Sequence, residues 1–208
     1  MNLIVFGSTG SIGTLIVKQA LREGHRVTAF TRSPEKLQAP ASPLLHIFKG
    51  DLTDKTAIQE AVKNQEAVLC AIGDGNKGSI RAIGTKNIID AMKQEGIKRL
   101  ICETTLGLGD SAGNLNFFWK YVMFGMLLKK AFKDHQLQEQ HLVGSDLDYT
   151  IVRPSAFTAG ERTDRYKIGF DSKAKGLSLK ISRADVAGFM LKQVTSNEYI
   201  RKAVSISN

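Results

Sequence analysis

Short apolar runs recur along this chain at 2–6, 26–31, 44–49, 66–72, 98–105 and 147–153. Between them, 11–23, 54–63, 79–95 and 115–143 carry apolar positions at helical spacing. Strands that alternate with helices and are apolar throughout imply a parallel sheet covered on both faces. No composition shift or Pro/Gly/Ser linker divides the sequence, so 1–208 reads as one domain of the α/β class. Smaller elements follow: a strand at 177–181, a helix opening at Ser182, and a last strand over 203–206. Ser182-Arg-Ala-Asp185 resembles a capping box with Asp in the usual Glu/Gln place.

The first strand runs directly into Gly7-Ser8-Thr9-Gly10-Ser11-Ile12-Gly13 and then into a helical pattern. A buried strand, a glycine turn and a helix start are what a dinucleotide site needs. The turn must be tight, and no side chain can hold the pyrophosphate away from the helix N–H groups. The spacing is G-x-x-G-x-x-G, and its place on the first strand–helix unit gives it weight. The expected architecture is a Rossmann-type doubly wound parallel sheet with a ligand crevice at the carboxyl ends of its strands. Gly7, Thr9, Gly10, Ser11, Ile12 and Gly13 are the first candidate cofactor contacts.

Each later strand end contributes to that crevice. About 20 residues beyond the glycines, where a carboxylate would select NAD, stand Arg32 and Ser33, with Lys36 a turn further on. A guanidinium suits a 2′-phosphate, no carboxylate is placed to repel one, and NADPH is the expected cofactor. Asp51-Leu52 sits where the chain turns over the adenine edge, with Asp51 or Thr53 also suited to cap the next helix. Ile72 and Gly73 open a glycine-dense loop, Gly73-Asp-Gly-Asn-Lys-Gly78, that lets backbone approach a ribose. Thr104 and Thr105 bring two hydroxyls to the nicotinamide end, while strand alternation turns Glu103 away. Arg153-Pro154-Ser155-Ala156-Phe157 crosses the same end, with Arg153 placed to orient an anionic acceptor. His135 lies on a helix flanking the fifth strand, where a solvated histidine competes with a crevice role.

The segment from Gly107 to His141 holds the densest aromatic cluster, including Phe117, Phe118, Trp119, Tyr121, Phe124 and Phe132. Its apolar residues wrap most of the way around a helix, more than one core-facing stripe requires. A lid over a flat apolar substrate leads; a dimer face and a membrane-surface contact through 115–132, helped by Lys129, Lys130 and Lys133, stand as alternatives.

Composition narrows the rest. Hydrophobic content of 42% and charged content of 24% suit an ordinary globular protein. The excess of 29 Lys+Arg over 20 Asp+Glu gives a net charge of +9. With no helix-turn-helix, zinc-finger or aromatic RNA-binding signature beside it, that field fits an anionic cofactor better than nucleic acid. Cys70 and Cys102 read as buried free thiols, and no histidine or cysteine spacing suits a metal. Met1-Asn2 passes into the first strand without a basic leader, and no apolar run is long enough to span a bilayer, so the expected compartment is the cytoplasm.

Taken together, Gly7-x-x-Gly10-x-x-Gly13, Thr31-Arg32-Ser33, Gly50-Asp51-Leu52, Val152-Arg153-Pro154 and Ile181-Ser-Arg-Ala-Asp-Val186 resemble an atypical short-chain dehydrogenase/reductase. Arg32, Lys133-Asp134-His135 and Phe189-Met190-Leu191 are most similar to the biliverdin-IXβ reductase and NADPH-dependent flavin reductase family. The resemblance implies hydride transfer from NADPH to a flavin such as FMN or to a biliverdin-type linear tetrapyrrole. The Tyr-x-x-x-Lys pair of ordinary members is absent: Gly125, Arg153, Phe170 and Ala203 follow the four tyrosines at that spacing. The serine and histidine of the family's substrate pocket fall at Thr105 and Ala156, so Thr105 and Arg153 are the expected acceptor-orienting residues. The rival reading is a catalytically silent NADPH-binding sensor or assembly factor that uses the aromatic region as a partner surface.

Overall fold

The structure is a computed structural model that describes residues 1–75, 77–174 and 176–208. Asn76, within the glycine-dense loop, and Lys175 lie outside the described residues. Six strands follow the apolar runs: β1 (Asn2–Phe6), β2 (Arg26–Thr31), β3 (Leu45–Lys49), β4 (Ala67–Cys70), β5 (Arg99–Glu103) and β6 (Asp148–Pro154). Three short strands come next, β7 (Ala156–Thr158), β8 (Lys167–Ile168) and β9 (Lys180–Ser182), and β10 (Lys202–Ser207) ends the chain. The main sheet has the order β3-β2-β1-β4-β5-β6-β10-β8, parallel except for β8. β7 and β9 pair separately beside the crevice. The order reverses between β1 and β4, which opens a crevice at the carboxyl ends of those strands.

Period-two alternation divides the sheet's side chains between two cores. Leu3, Val5, Leu69 and Ile101 face α1 (Gly13–Arg22) and α5 (Arg183–Lys192). Ile4, Phe6, Val68 and Leu100 face α2 (Lys55–Val62), α3 (Arg81–Gln94) and α4 (Lys129–Val143). Cys70 and Cys102 are free, buried and opposite each other on β4 and β5.

Several local expectations change. The helix expected over 115–143 breaks in two: Phe118–Leu127 forms a π-helical coil, Leu128 leaves helical geometry (φ −111°, ψ 17°), and α4 starts at Lys129. A segment apolar on all sides has no single stripe to hold an ordinary helix against a core. The cap of α2 is Asp54, which accepts from Ala57 N at 3.0 Å, and neither Asp51 nor Thr53 takes that role. The turn after Ser33 is a single 3-10 turn, Pro34–Lys36. Ser182 does cap α5, accepting from Asp185 N at 3.0 Å. Asp185, fully buried, uses its carboxylate to hold the loop before it, accepting from Thr163 N at 2.7 Å and Asp164 N at 2.8 Å.

Candidate functional site

The turn after β1 is shaped by contacts that exclude side chains at two glycines. Gly7 takes φ +80°, and a Cβ there would strike the Ala71 carbonyl. A Cβ on Gly13 would strike the Gly7 carbonyl oxygen. Ser8 pins the turn to β2 by donating to Phe30 O at 2.9 Å, and Thr14 Oγ1 donates to Ser8 O at 3.0 Å. No side chain caps the N-terminus of α1, so its first-turn N–H groups have no side-chain partner. A tight turn with glycine at 7, 10 and 13 in front of an uncapped helix start fits the pyrophosphate of a dinucleotide.

Two cavities adjoin this turn and share Gly10, Ile72 and Gly73. The smaller, about 220 Å³, is lined by Gly7, Thr9, Arg32, Ser33, Lys36 and Leu52. Six of the residues expected to contact the cofactor thus meet in one place, two from the glycine turn and four from the adenosine end. Asp51 differs. Its carboxylate accepts from Thr53 N (2.8 Å) and Thr53 Oγ1 (2.6 Å) and stands 3.6 Å from Arg32 Nη1. Those hydrogen bonds, with the Arg32 charge, hold its carboxyl below the ordinary value. The expectation that no carboxylate stands near Arg32 is therefore corrected: the two strand ends bring Asp51 beside it. The Arg32 side chain remains 72% exposed, and a surface pair of this kind is weak.

The larger cavity, about 420 Å³, opens from Gly10, Ser11 and Ile12 toward the substrate side. Thr104, Thr105, Pro154, Ser155 and Ala156 form its base, and Leu115, Trp119, Phe124 and Leu128 its apolar roof. The roof belongs to the aromatic segment, whose opposite side leaves Phe117, Phe118, Tyr121, Met126 and Leu127 exposed. Thr105 Oγ1 makes only a long bond to Leu106 O, 3.3 Å, among the described residues. The Thr104 hydroxyl is already committed, donating to Glu139 Oε1 at 2.7 Å.

His135 belongs to the crevice wall and is not a solvated helix residue. Burial, then the nearby Arg81 charge, lowers its pKa to about 4, so the ring is neutral at physiological pH. Gln138 fixes its tautomer. The Gln138 amide nitrogen donates to Thr85 Oγ1 (3.0 Å) and Cys102 Sγ (3.2 Å), which leaves Oε1 to accept from His135 Nδ1 at 3.0 Å. Nε2 of His135 is then an acceptor.

Arg153 is corrected outright. Its side chain points away from the cavity, only 6% of the residue is exposed, and Glu139 holds it through Nε (2.9 Å) and Nη2 (2.7 Å). Asp110 takes the remaining terminal nitrogen. A guanidinium so occupied orients the Thr104–Glu139 network and has no face for an acceptor.

Three charged residues missed from the sequence stand in the cavity wall: Arg81, Glu103 and Arg183. Glu103 reverses the expectation that it turns away. It ends β5 on the α1/α5 side, where the sheet stops and the cavity begins, so the face that is core one residue pair earlier has become crevice. Arg183, first residue of α5, donates from Nε to Ser11 Oγ at 3.3 Å and lies 5.4 Å above the Phe157 ring. Arg81, first residue of α3, donates to Gly75 O at 3.1 Å and stands 3.6 Å from Asp134. A charged residue closing an apolar strand was the one available signal for Glu103; Arg81 had none.

Comparison with known proteins agrees with this geometry. Among curated relatives, TIC 62 of Arabidopsis thaliana is 34% identical over 194 residues, covering 79% of this chain and 28% of that protein. The photosystem II assembly factor Ycf39 of Synechocystis is 28% identical over 171 residues, covering 77% of this chain and 46% of that protein. The chain spans about a third of the length of the TIC 62 proteins it matches. Among solved structures, ChuY, an anaerobillin reductase from Escherichia coli O157:H7, superposes with a TM-score of 0.81 at 25% identity, covering 99% of this chain and 96% of that one. The family model described as NAD(P)H-binding matches residues 7–197, and the chain belongs to that NAD(P)H-binding family.

Proposed function

We propose that this chain is an NADPH-dependent reductase that delivers a hydride to a planar conjugated acceptor, a flavin or a linear tetrapyrrole. The observation that carries the proposal is the pair of cavities joined at Gly10, Ile72 and Gly73: one lined by Arg32 and Lys36, the other largely apolar with an aromatic roof. Gly7, Thr9, Gly10, Ser11, Ile12 and Gly13 hold the pyrophosphate. Arg32 and Lys36 take the 2′-phosphate, and its double charge displaces the exposed contact of Arg32 with Asp51. Leu52, Ile72, Gly73, Thr104 and Pro154 bound the remainder of the dinucleotide. When bound, that dinucleotide supplies the hydride.

The protein's share is alignment and exclusion of water. Trp119 and Phe124 cover one face of a flat acceptor, Thr105 Oγ1 is available to its polar edge, and neutral His135 Nε2 accepts from an N–H group. No tyrosine lines either cavity among the described residues, which fits a reaction other than alcohol–ketone exchange. The likeness to ChuY supports a tetrapyrrole-sized acceptor.

The test follows NADPH absorbance with FMN or biliverdin as acceptor and NADH as control. Acceptor-dependent oxidation that is faster with NADPH is expected. Tight NADPH binding with no turnover of either acceptor favours the second reading, an NADPH-binding member that docks a partner through the exposed outer side of the aromatic segment. The likeness to Ycf39, a protein named as an assembly factor, and the exposure of Phe117 and Met126 support that reading.

A further inference from the structure

Glu103 is a carboxyl group in a largely apolar cavity, and its side chain has no hydrogen-bond or ion-pair partner among the described residues. It lines the acceptor cavity among Ile12, Ile72, Leu106 and Trp119, half-buried at the end of β5. Its backbone carbonyl accepts from Cys102 Sγ at 3.8 Å. Three other titratable groups face the same cavity. Arg81 and Arg183 lie near enough to favour the carboxylate, yet neither makes a hydrogen bond or ion pair with it: Arg81 Nη2 donates to Gly75 O while its Nε and Nη1 are buried without a hydrogen-bond partner, and Arg183 Nε donates to Ser11 Oγ. His135 is neutral.

We infer that Glu103 is the proton donor of this site, delivering its proton to a nitrogen of the acceptor's conjugated C=N system as the hydride reaches the acceptor carbon. The inference rests on the reductase reading and fills the place left by the missing tyrosine–lysine pair. The balance is complete. The dinucleotide gives up two electrons and one hydrogen as hydride, which forms a C–H bond on the acceptor. The O–H bond of Glu103 breaks, its proton forms the N–H bond, and the carboxylate left behind is reprotonated from water. The acceptor gains two electrons and two hydrogens. Burial raises the Glu103 pKa to about 7 against the pull of Arg81 and Arg183, so a large share of molecules carries the proton at neutral pH. A donor matched to the working pH is what general acid catalysis requires. This chemistry favours a linear tetrapyrrole, whose reduction leaves a basic pyrrolic nitrogen.

The first readout needs no turnover. In ligand-free protein labelled with ¹³C-glutamate, a carboxyl signal lost in Glu103→Gln should titrate near pH 7; a midpoint below 5 overturns the inference. The second uses NADPH and biliverdin. Glu103→Gln should bind NADPH within about two-fold of wild type yet lose about 10²-fold or more in kcat, together with the break in the pH profile near 7. Glu103→Asp should recover part of the rate. Wild-type kcat and an unchanged pH profile in Glu103→Gln overturn the inference and leave the reductase reading standing. Absence of NADPH oxidation by the wild-type protein with both biliverdin and FMN overturns both.

Discussion

Replacing Arg153 with Met separates a structural role from an acceptor-binding one. The side chain is similar in length, so the main loss is electrostatic. In the native fold Arg153 gives Glu139 two hydrogen bonds, 2.9 and 2.7 Å, and Glu139 is only 8% exposed. Without them Glu139 keeps one donor, Thr104 Oγ1 at 2.7 Å, and a buried carboxylate is left without its counter-charge. Breaking one side of such a pair costs about 3–5 kcal/mol. The Asp110 contact adds less than about 1 kcal/mol, because that side chain is 88% exposed. For a chain of this size each kcal/mol moves Tm by about 2–4 °C, so a fall of roughly 10 °C is expected. Urea and thermal unfolding measure it. The double variant Arg153→Met/Glu139→Leu removes both charges and should regain most of the loss. A single variant that keeps its stability and instead raises KM for the acceptor refutes the structural assignment and restores Arg153 to the crevice.

Gly13→Ala should lower the affinity for NADPH strongly and cost stability, since its methyl group meets the Gly7 carbonyl; isothermal titration and thermal unfolding report the two effects, and a variant matching wild type in both refutes the packing argument. Arg32→Ala should reduce the preference for NADPH over NADH by about 10–100-fold, the worth of one charge-assisted hydrogen bond, and an unchanged ratio of the two kcat/KM values removes Arg32 from the phosphate site. The pH dependence of stability should carry two opposed slopes. Glu103 binds its proton more tightly folded than unfolded, so its stabilisation is full below pH 4.5 and is lost as pH rises through about 7. His135 binds its proton less tightly when folded, so its stability is full above 6.5 and is lost as pH falls toward 4. The slopes offset each other between pH 4.5 and 6.5. Glu103→Gln should therefore lose stability across that range more steeply than wild type, by up to about 1.4 kcal/mol per pH unit in urea unfolding; equal slopes refute it.

The parts of this molecule governed by short-range rules are legible in the residue pattern itself. Apolar runs placed β1 to β6, and the spacing of Gly7, Gly10 and Gly13 located the crevice, because strand burial and tight turns leave direct marks on residue type. Glu103 and Arg153 depart from the sequence expectation for a common reason: each lies at the carboxyl end of a strand, and where the sheet ends the two faces stop being equivalent. Glu103 finds a cavity on its side, whereas Arg153 finds Glu139, a partner 14 residues away on another element. Asp51 beside Arg32 is likewise a meeting of two strand ends, β2 and β3, invisible until the register is known. The broken helix at Leu128 was foreshadowed by the all-round apolar pattern, yet periodicity alone cannot tell a π-helical coil from an ordinary helix.

Asp134 joins the two halves of the crevice wall in a way that bears on the order of binding and release. Buried to 4% exposure, it accepts from Arg81 N and Ala82 N, both at 3.0 Å, so that a side chain of α4 caps the first turn of α3. Gly78 packs against the backbone of Lys130 so closely that a Cβ would not fit. α3 and α4 are therefore tied to each other, and pulling α4 away would strand two buried N–H groups. The roof segment is free of that constraint: it meets α4 at Leu128, outside helical geometry, and no residue from Phe118 to Leu127 is buried. A bend at Leu128 would uncover the apolar cavity without moving Arg32, Lys36 or the glycine turn, which lie on other elements. Under the proposed reductase reading, acceptor and product would then exchange beneath the roof without release of the dinucleotide, and product-inhibition kinetics should show the nucleotide entering first and leaving last.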